Sequence, residues 1–235
     1  MKSVLGKKPD DPYRVGLDNR GLDYEALPGA ADYGRFPWYL YWETCWVLRH
    51  GPTLERPMRL LDAGGASSLF SCYLASLGHE VYSIDLSKEL VANTNRIARA
   101  MGWTLRSYVM NMTKLDFPDK FFDHAYSVCV FEHLNLAARK SALNEIARCL
   151  KPGGMLSLTF DYRNPAPVLW GHGPATREEN QLKTQQDIWR SFLSTDSFEL
   201  RGNREFNDNG QSYLVHPQFG NAPYTFGALF LQKKS

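Results

Sequence analysis

Two acids and a pair of glycines, each at the end of an apolar run, are the residues of this chain best placed to hold a ligand. Arg59-Leu60-Leu61 leads into Asp62, Ala63, Gly64 and Gly65. Glycines directly after a strand let a ligand approach the bare backbone, because no Cβ intervenes and positive φ costs little. A second apolar run, Glu80 to Ile84, ends in Asp85. An acid at a second strand's tip, roughly 20 residues past the glycines, is placed to accept both hydroxyls of a ribose. The pair points to a cofactor that contains adenosine.

A further set of residues could act on whatever reacts with that cofactor. His133 follows the fourth apolar run and reads as a base or a substrate contact, with a loop-fixing hydrogen bond as the other possibility. Asp161 ends the fifth run and reads as a substrate contact or a cap for the next turn. Glu132 reads as structural. Tyr33, Phe36, Trp38, Tyr39, Tyr41, Trp42 and Trp46 crowd the segment before the first strand. They form either an aromatic helix face packed on the sheet or a roof, made by Tyr33, Arg35 or Trp38, over the pocket. Asp161 with Asn164 resembles a feature of metal-dependent catechol-type enzymes, but no third ligand is evident and no metal is expected.

These residues need a scaffold, and strand and helix patterns alternate from residue 59 to about residue 161. Ser67 or Ser68 can cap a helix whose apolar face is Leu69, Phe70, Tyr73, Leu74 and Leu77, ended by Gly78. Ser87 can cap the next, with Leu90, Ile97, Ala98 and Met101 on one side and Gly102 closing it. Leu105 to Val109 is the third strand and His124 to Val130 the fourth. Leu136, Leu143, Ile146, Ala147 and Leu150 recur at helical spacing before the sharp stop Lys151-Pro152-Gly153-Gly154, and Met155 to Phe160 is the fifth strand. Beyond it lie a long Pro- and Gly-rich excursion, a short helix from Gln185 to Leu193, and two strands, Phe198 to Phe206 and Thr225 to Gln232. A polar loop with His216 and Pro217 joins those two. Five consecutive units imply a parallel sheet with right-handed crossovers, and the last pair a partly antiparallel edge. Gly64, Asp85, Asn111 and Val128 would converge at the carboxyl ends of its strands.

The 235 residues fit one α/β domain. Twenty-seven Lys and Arg stand against 25 Asp and Glu with no long run of either sign, so neither nucleic acid nor an acidic membrane is expected as a partner. Residues 1–16 lack the apolar core of a signal peptide, and no run approaches the ~20 apolar residues of a membrane span. Cys45, Cys72, Cys129 and Cys149 are widely spaced, with no Cys-x-x-Cys pair. A soluble, cytoplasmic protein with reduced cysteines is the expectation.

From about residue 58 to residue 161 the chain resembles the class I S-adenosylmethionine-dependent methyltransferases, especially the small-molecule branch known as methyltransferase type 11. Leu60-Leu61-Asp62-Ala63-Gly64-Gly65 is similar to the family's first motif. Ile84-Asp85-Leu86-Ser87 is similar to its ribose-binding acid and the apolar residue that packs on adenine. Asn111-Met112 matches the adenine-amine segment, where the family usually has Asp in place of Asn111. Phe122-Asp123, Phe131-Glu132-His133-Leu134 and Leu150-Lys151-Pro152-Gly153-Gly154 complete the order. The family's Gly-x-Gly-x-Gly is here Gly64, Ala66 and Ser68. Ala and Ser are small enough for close approach, so binding should persist.

The resemblance implies a single Rossmann-like, doubly wound, seven-stranded α/β sheet, mostly parallel with an antiparallel last strand. It divides the domain, 1–235, into an aromatic-rich helical lid (1–57), a cofactor-binding core (58–161) and a substrate-side insertion with the final strands (162–235). It implies S-adenosyl-L-methionine as cofactor and S-adenosyl-L-homocysteine as product, held by Asp62, Ala63, Gly64, Gly65, Asp85, Leu86, Asn111, Met112, Val128 and Tyr33. The methyl would go to oxygen or nitrogen of a small-molecule acceptor, with His133 and Asp161 catalytic and Arg35, Trp38, Tyr162 and His216 lining the acceptor side. A nicotinamide-dependent oxidoreductase would also want glycines and a following acid, but Leu69 stands where its last glycine should be. A methyltransferase fold that binds the cofactor without catalysis is the other alternative.

Overall fold

The computed structural model describes residues 38–163, 181–202, 206–208, 210, 212, 214–216 and 222–234. The elements run β1 Arg59–Ala63, β2 Glu80–Asp85, β3 Leu105–Val109, β4 Phe122–Val128, β5 Leu150–Tyr162, β6 Phe198–Leu200, β7 Leu214–His216 and β8 Ala222–Lys233. The helices are α1 Trp38–His50, α2 Leu69–Ser76, α3 Lys88–Met101, α4 Leu136–Cys149 and α5 Gln185–Ile188, the last continued by a π turn, Trp189–Leu193. The strands stand in the order β3-β2-β1-β4-β5-β8-β6, with β7 paired to β8. The five neighbours from β3 to β5 pair in parallel, and β8 runs antiparallel to β5, β6 and β7. A continuous row of seven strands with one antiparallel member is thus the sheet, and β7 is an added eighth. Chain order reverses between β1 and β4, so the crevice at their carboxyl ends is the place where such sheets bind ligands.

Local chemistry accounts for most boundaries. Ser68 Oγ accepts from the Phe70 and Ser71 N–H groups and starts α2. Ser87 Oγ does the same for Leu90 N at the start of α3, and Gly102, at φ 67°, ends that helix in the left-handed region. Asn135 caps α4 through Ala138 N.

Four expectations are corrected. β4 lies two residues earlier than expected, because Val130 belongs to the turn and packs over Gly64. β5 begins at Leu150: Lys151 to Gly154 is an irregular stretch between the Leu150–Phe122 and Met155–His124 pairs, with Gly153 at φ 74°. On α2 the buried face is Phe70, Ser71, Cys72, Leu74 and Ala75, whereas Leu77 is 51% exposed. His216 ends β7 rather than sitting in a loop.

Two apolar layers sandwich the sheet. Leu60, Tyr126 and Val81 meet Val47, Phe70, Leu74 and Ala98 on one side. Leu61, Ala63, Leu156, Leu158 and Phe160 meet Leu143, Ile146 and Phe192 on the other. Trp42 of α1 stacks on Phe226 at 4.9 Å, and Phe226 is the register partner of Asp161. Helix α1 therefore overlies the sheet at the end where β5 carries its acid.

Candidate active site

The turn after β1 is a cradle built by close approach. Gly64 has φ 84°, its N–H donates to Ile84 O at the tip of β2, and a Cβ there would stand 2.6 Å from Val130 Cγ2. A Cβ on Gly65 would fall inside the Asp62 carboxylate. Asp62 itself is 1% exposed and accepts the Ser71 hydroxyl at 2.6 Å, so it braces the turn from beneath. Its charge raises the pKa of Tyr126 and Cys72, secondary in both to burial, which pushes the Cys72 thiol up to about 12.

The missing glycines are replaced by anchoring. Ala66 packs with Leu90 and Val91 of α3. Ser67 takes φ 56°; its N–H donates to Thr94 Oγ1, its hydroxyl donates to Leu90 O and accepts from Asn93 Nδ2. Ser68 then caps α2. A motif that lacks two glycines keeps the same turn because α3 holds it.

At the tip of β2, Asp85 accepts the Ser87 N–H at 2.9 Å through Oδ1, which fixes its side chain at the start of α3. Leu86, next in the chain, is 56% exposed and offers an apolar surface beside the carboxylate. Asn111 lies just beyond β3, but its Oδ1 accepts from both Thr113 N and Thr113 Oγ1 at 2.9 Å. The oxygen expected to meet an adenine amine is engaged in this local turn, which sequence alone could not show. Met112 is buried in the core beneath, and Val128 ends β4 half-buried.

The turn after β4 carries a cluster that spacing did not reveal. Cys129, at φ 57°, follows β4, and its N–H donates to Thr159 O and Oγ1. A 3-10 turn, Phe131–His133, then places Glu132 inward and His133 beside it, with Nε2 of the histidine 3.9 Å from Glu132 Oε1. A Cys129 sulfur, a Glu132 oxygen and an Asp161 oxygen lie within 4.8 Å of one another. Burial raises the Glu132 pKa, while the Cys129 thiol, the Glu132 and Asp161 backbone N–H groups and Arg139 oppose that shift. Each of the three offers one atom that could share a proton or ligate a cation.

Arg139 of α4, 0% exposed, ties the turn in place. Its Nε donates to Phe131 O at 2.9 Å, Nη1 to Ser191 Oγ at 3.1 Å and Nη2 to Glu132 O at 3.4 Å. Burial lowers its pKa to about 10. Nothing in the sequence marked Arg139, because its partners come from a neighbouring turn and from Ser191, far along the chain.

Tyr162, expected to line the acceptor side, is instead 1% exposed. Its hydroxyl donates to Asp208 at 2.9 Å, and its ring meets Phe206 edge-on. Strand alternation sends it to the opposite face from Asp161. Tyr33 and Arg35 lie outside the described residues, as does most of the 162–181 excursion. Of Trp38 and His216 only the backbone is described.

The glycine turn, the acid at the tip of β2, the exposed leucine beside it and the strand order together resemble the cofactor half of the class I S-adenosylmethionine-dependent methyltransferases. Residues 61–158 match the family model described as "Methyltransferase domain". The ubiquinone/menaquinone biosynthesis C-methyltransferase UbiE of Azotobacter vinelandii is 32% identical over 124 residues, 50% of this chain and 47% of that protein. Across the curated relatives the chain spans between 46% and 63% of their length. Two solved structures show the same fold. One is the 1,6-didemethyltoxoflavin-N1-methyltransferase of Burkholderia thailandensis with bound 1,6-didemethyltoxoflavin and S-adenosylhomocysteine, at TM-score 0.57 and 19% identity, covering 84% of this chain and 79% of that one. The other is the [4+2]-cyclase SpnF, at TM-score 0.61 and 18% identity, covering 81% and 79%.

The cofactor of the class, S-adenosylmethionine, fits the residues present. Gly64 and Gly65 let the turn close tightly on Val130 and Asp62, where any Cβ would collide, and Asp85 with Leu86 presents a carboxylate beside an apolar side chain. Among the described residues, no helix is long and apolar enough to cross a membrane.

Proposed function

We propose that this protein is an S-adenosylmethionine-dependent methyltransferase acting on an oxygen or nitrogen of a small-molecule acceptor. The observation that carries the reading is the convergence, at one end of the sheet, of the Gly64–Gly65 cradle and Asp85 with a histidine backed by a buried acid. The cofactor, when bound, supplies an activated methyl group, so the protein's tasks are alignment and exclusion of water. Gly64 and Gly65 admit the cofactor to the backbone, Asp85 takes the ribose hydroxyls, and Leu86 covers the base. A hydroxyl or protonated amine must lose a proton as it is methylated, and His133 is placed to accept it. Asp161 would orient the acceptor from the end of β5, under the Trp42 face of α1.

None of the four cysteines is in a disulfide, which suits the reducing cytoplasm. Leu69 opens α2 where a nicotinamide-binding turn would need glycine, which disfavours an oxidoreductase. The cyclase neighbour is evidence that this fold also hosts other chemistry, and the C-methyltransferase relative makes carbon the competing target. Incubation with methyl-labelled S-adenosylmethionine and a panel of phenols, amines and carbon nucleophiles tests the assignment. Label on oxygen or nitrogen is expected. Label on carbon corrects the target atom, and cofactor binding with no labelled product across the panel favours a non-methylating role.

A further inference from the structure

One carboxylate in the turn after β4 is buried without the partners that burial demands. The Glu132 side chain is 3% exposed, and among the described residues neither of its oxygens has a hydrogen-bond partner. A carboxylate taken out of water is costly unless it is hydrogen-bonded, paired or bound to a metal. Arg139 adds positive charge nearby, but its nitrogens donate to Phe131 O, Ser191 Oγ and the Glu132 backbone O. What the carboxylate does meet is a set of ligand atoms. One oxygen of Glu132, one of Asp161 and the Cys129 sulfur lie within 4.8 Å of one another. The fold supplies them from three places: the residue after β4, the 3-10 turn that follows and the end of β5. Glu132 is buried while Cys129 and Asp161 are partly exposed, so the set is closed behind the glutamate and reachable from the other two.

We propose that Cys129, Glu132 and Asp161 form a three-ligand site for Zn²⁺, its fourth position left to water or to an acceptor atom. Ligand atoms on one zinc ion, at about 2.3 Å for sulfur and about 2.0–2.2 Å for oxygen, stand about 3.4–3.6 Å apart in a tetrahedron, so movements of about an ångström close the set. Charge agrees with a divalent ion. With His133 neutral, one thiolate and two carboxylates beside the Arg139 cation leave two negative charges to cancel. Magnesium and calcium take oxygen ligands, whereas the thiolate favours zinc. The site stands apart from the methyltransferase reading; joined to it, Asp161 orients the acceptor through the ion. The sequence expectation of no metal rested on Asp161 with Asn164, which lies outside the described residues. The ligands that spacing could not supply come from the turn after β4.

The test is metal binding to the full chain, stripped with a chelator and titrated with Zn²⁺ against a chromophoric competitor, then with Co²⁺ followed by absorption. One zinc per chain is expected, with a thiolate-to-cobalt charge-transfer band. Cys129→Ser should abolish that band and weaken zinc by about 100-fold or more, beyond the range for losing an outer partner of a ligand. Cys45→Ser, which removes the exposed cysteine, should change neither. Glu132→Gln and Asp161→Ala should weaken zinc to a similar extent. No zinc held by the wild-type chain against the competitor, or a cobalt band and zinc affinity that survive in Cys129→Ser, would overturn the proposal. Should Glu132→Gln fail to fold, the wild-type stoichiometry and Cys129→Ser, altered at a partly exposed sulfur, still decide it. S-adenosylhomocysteine binding, measured on the same samples, reports on the methyltransferase reading alone, and its absence would count against that reading while the zinc result stands.

Discussion

The turn after β1 and the turn after β4 lie side by side, touching where Val130 meets Gly64, yet they are built by opposite means. The first is made of small residues: two glycines, an alanine and capping serines, with Asp62 quieted by the Ser71 hydroxyl. The second has no glycine, takes its left-handed kink at Cys129, and is held by a buried Arg139 beside a buried Glu132. A turn that must let a ligand reach the backbone minimises side chains. The turn after β4 fills the space behind it with charge, accepting the cost of burying ions for a fixed geometry.

If that contrast is right, the largest effect belongs to the charged turn. Arg139→Ala leaves the Phe131 and Glu132 carbonyls without their cation and should cost about 3–5 kcal/mol, the range for breaking a buried ionic set. Urea unfolding would measure it, and a loss of only a few tenths would mean the turn is held by something else. Gly65→Ala comes next: the new methyl collides with the Asp62 carboxylate and should cost about 3 kcal/mol, at the upper end for overpacking, with loss of cofactor binding. Native stability in that variant would show that the cradle yields more easily than its geometry suggests.

Asp85→Ala separates binding from folding. It should weaken S-adenosylhomocysteine by about 1–3 kcal/mol, as for losing a charged hydrogen-bond partner, with little change in thermal stability. Calorimetry on the pure protein decides it. The smallest effects lie at the far end of the sheet, away from both turns. His124 is half-buried with Nδ1 accepting Met155 N–H, and desolvation lowers its pKa to about 4. The folded state resists its proton, so stability should be full above pH ~6.5 and fall as pH drops toward 4. Glu80 is held down to about 2, chiefly by the Tyr82 hydroxyl and then by Arg106 and Arg59. Its contribution should be present above pH ~4.5 and be lost on further acidification. Urea midpoints across pH should show both stages, the first removed by His124→Gln and the second by Glu80→Gln, with S-adenosylhomocysteine affinity at pH 7 unchanged.

The same contrast explains what the sequence made legible. Ser68, Ser87, Gly102 and the bounds of β3 were readable because caps and alternation are decided within a few residues. The places of Gly64 and Asp85 at the tips of β1 and β2 were readable because a glycine or an acid closing an apolar run is a local signal. The Asn111–Thr113 turn, the shift of β4 and the pairing of His216 in β7 depend on which local or cross-strand bond wins. Arg139, Cys129 and the Glu132 enclosure depend on contacts between α4, β5 and the segment around Ser191. The burial of Tyr162 and its bond to Asp208 were not readable, because a strand buried on both sides carries no polar alternation to show which face a side chain takes.

The central claim is that the tips of β1 and β2 hold the adenosyl group. Backbone amide NMR of the full chain titrated with S-adenosylhomocysteine tests it most directly: the account predicts that the signals of Gly64, Gly65, Asp85 and Leu86 move together and saturate with one affinity. Saturation with those four signals unmoved, or no binding at all, would contradict it.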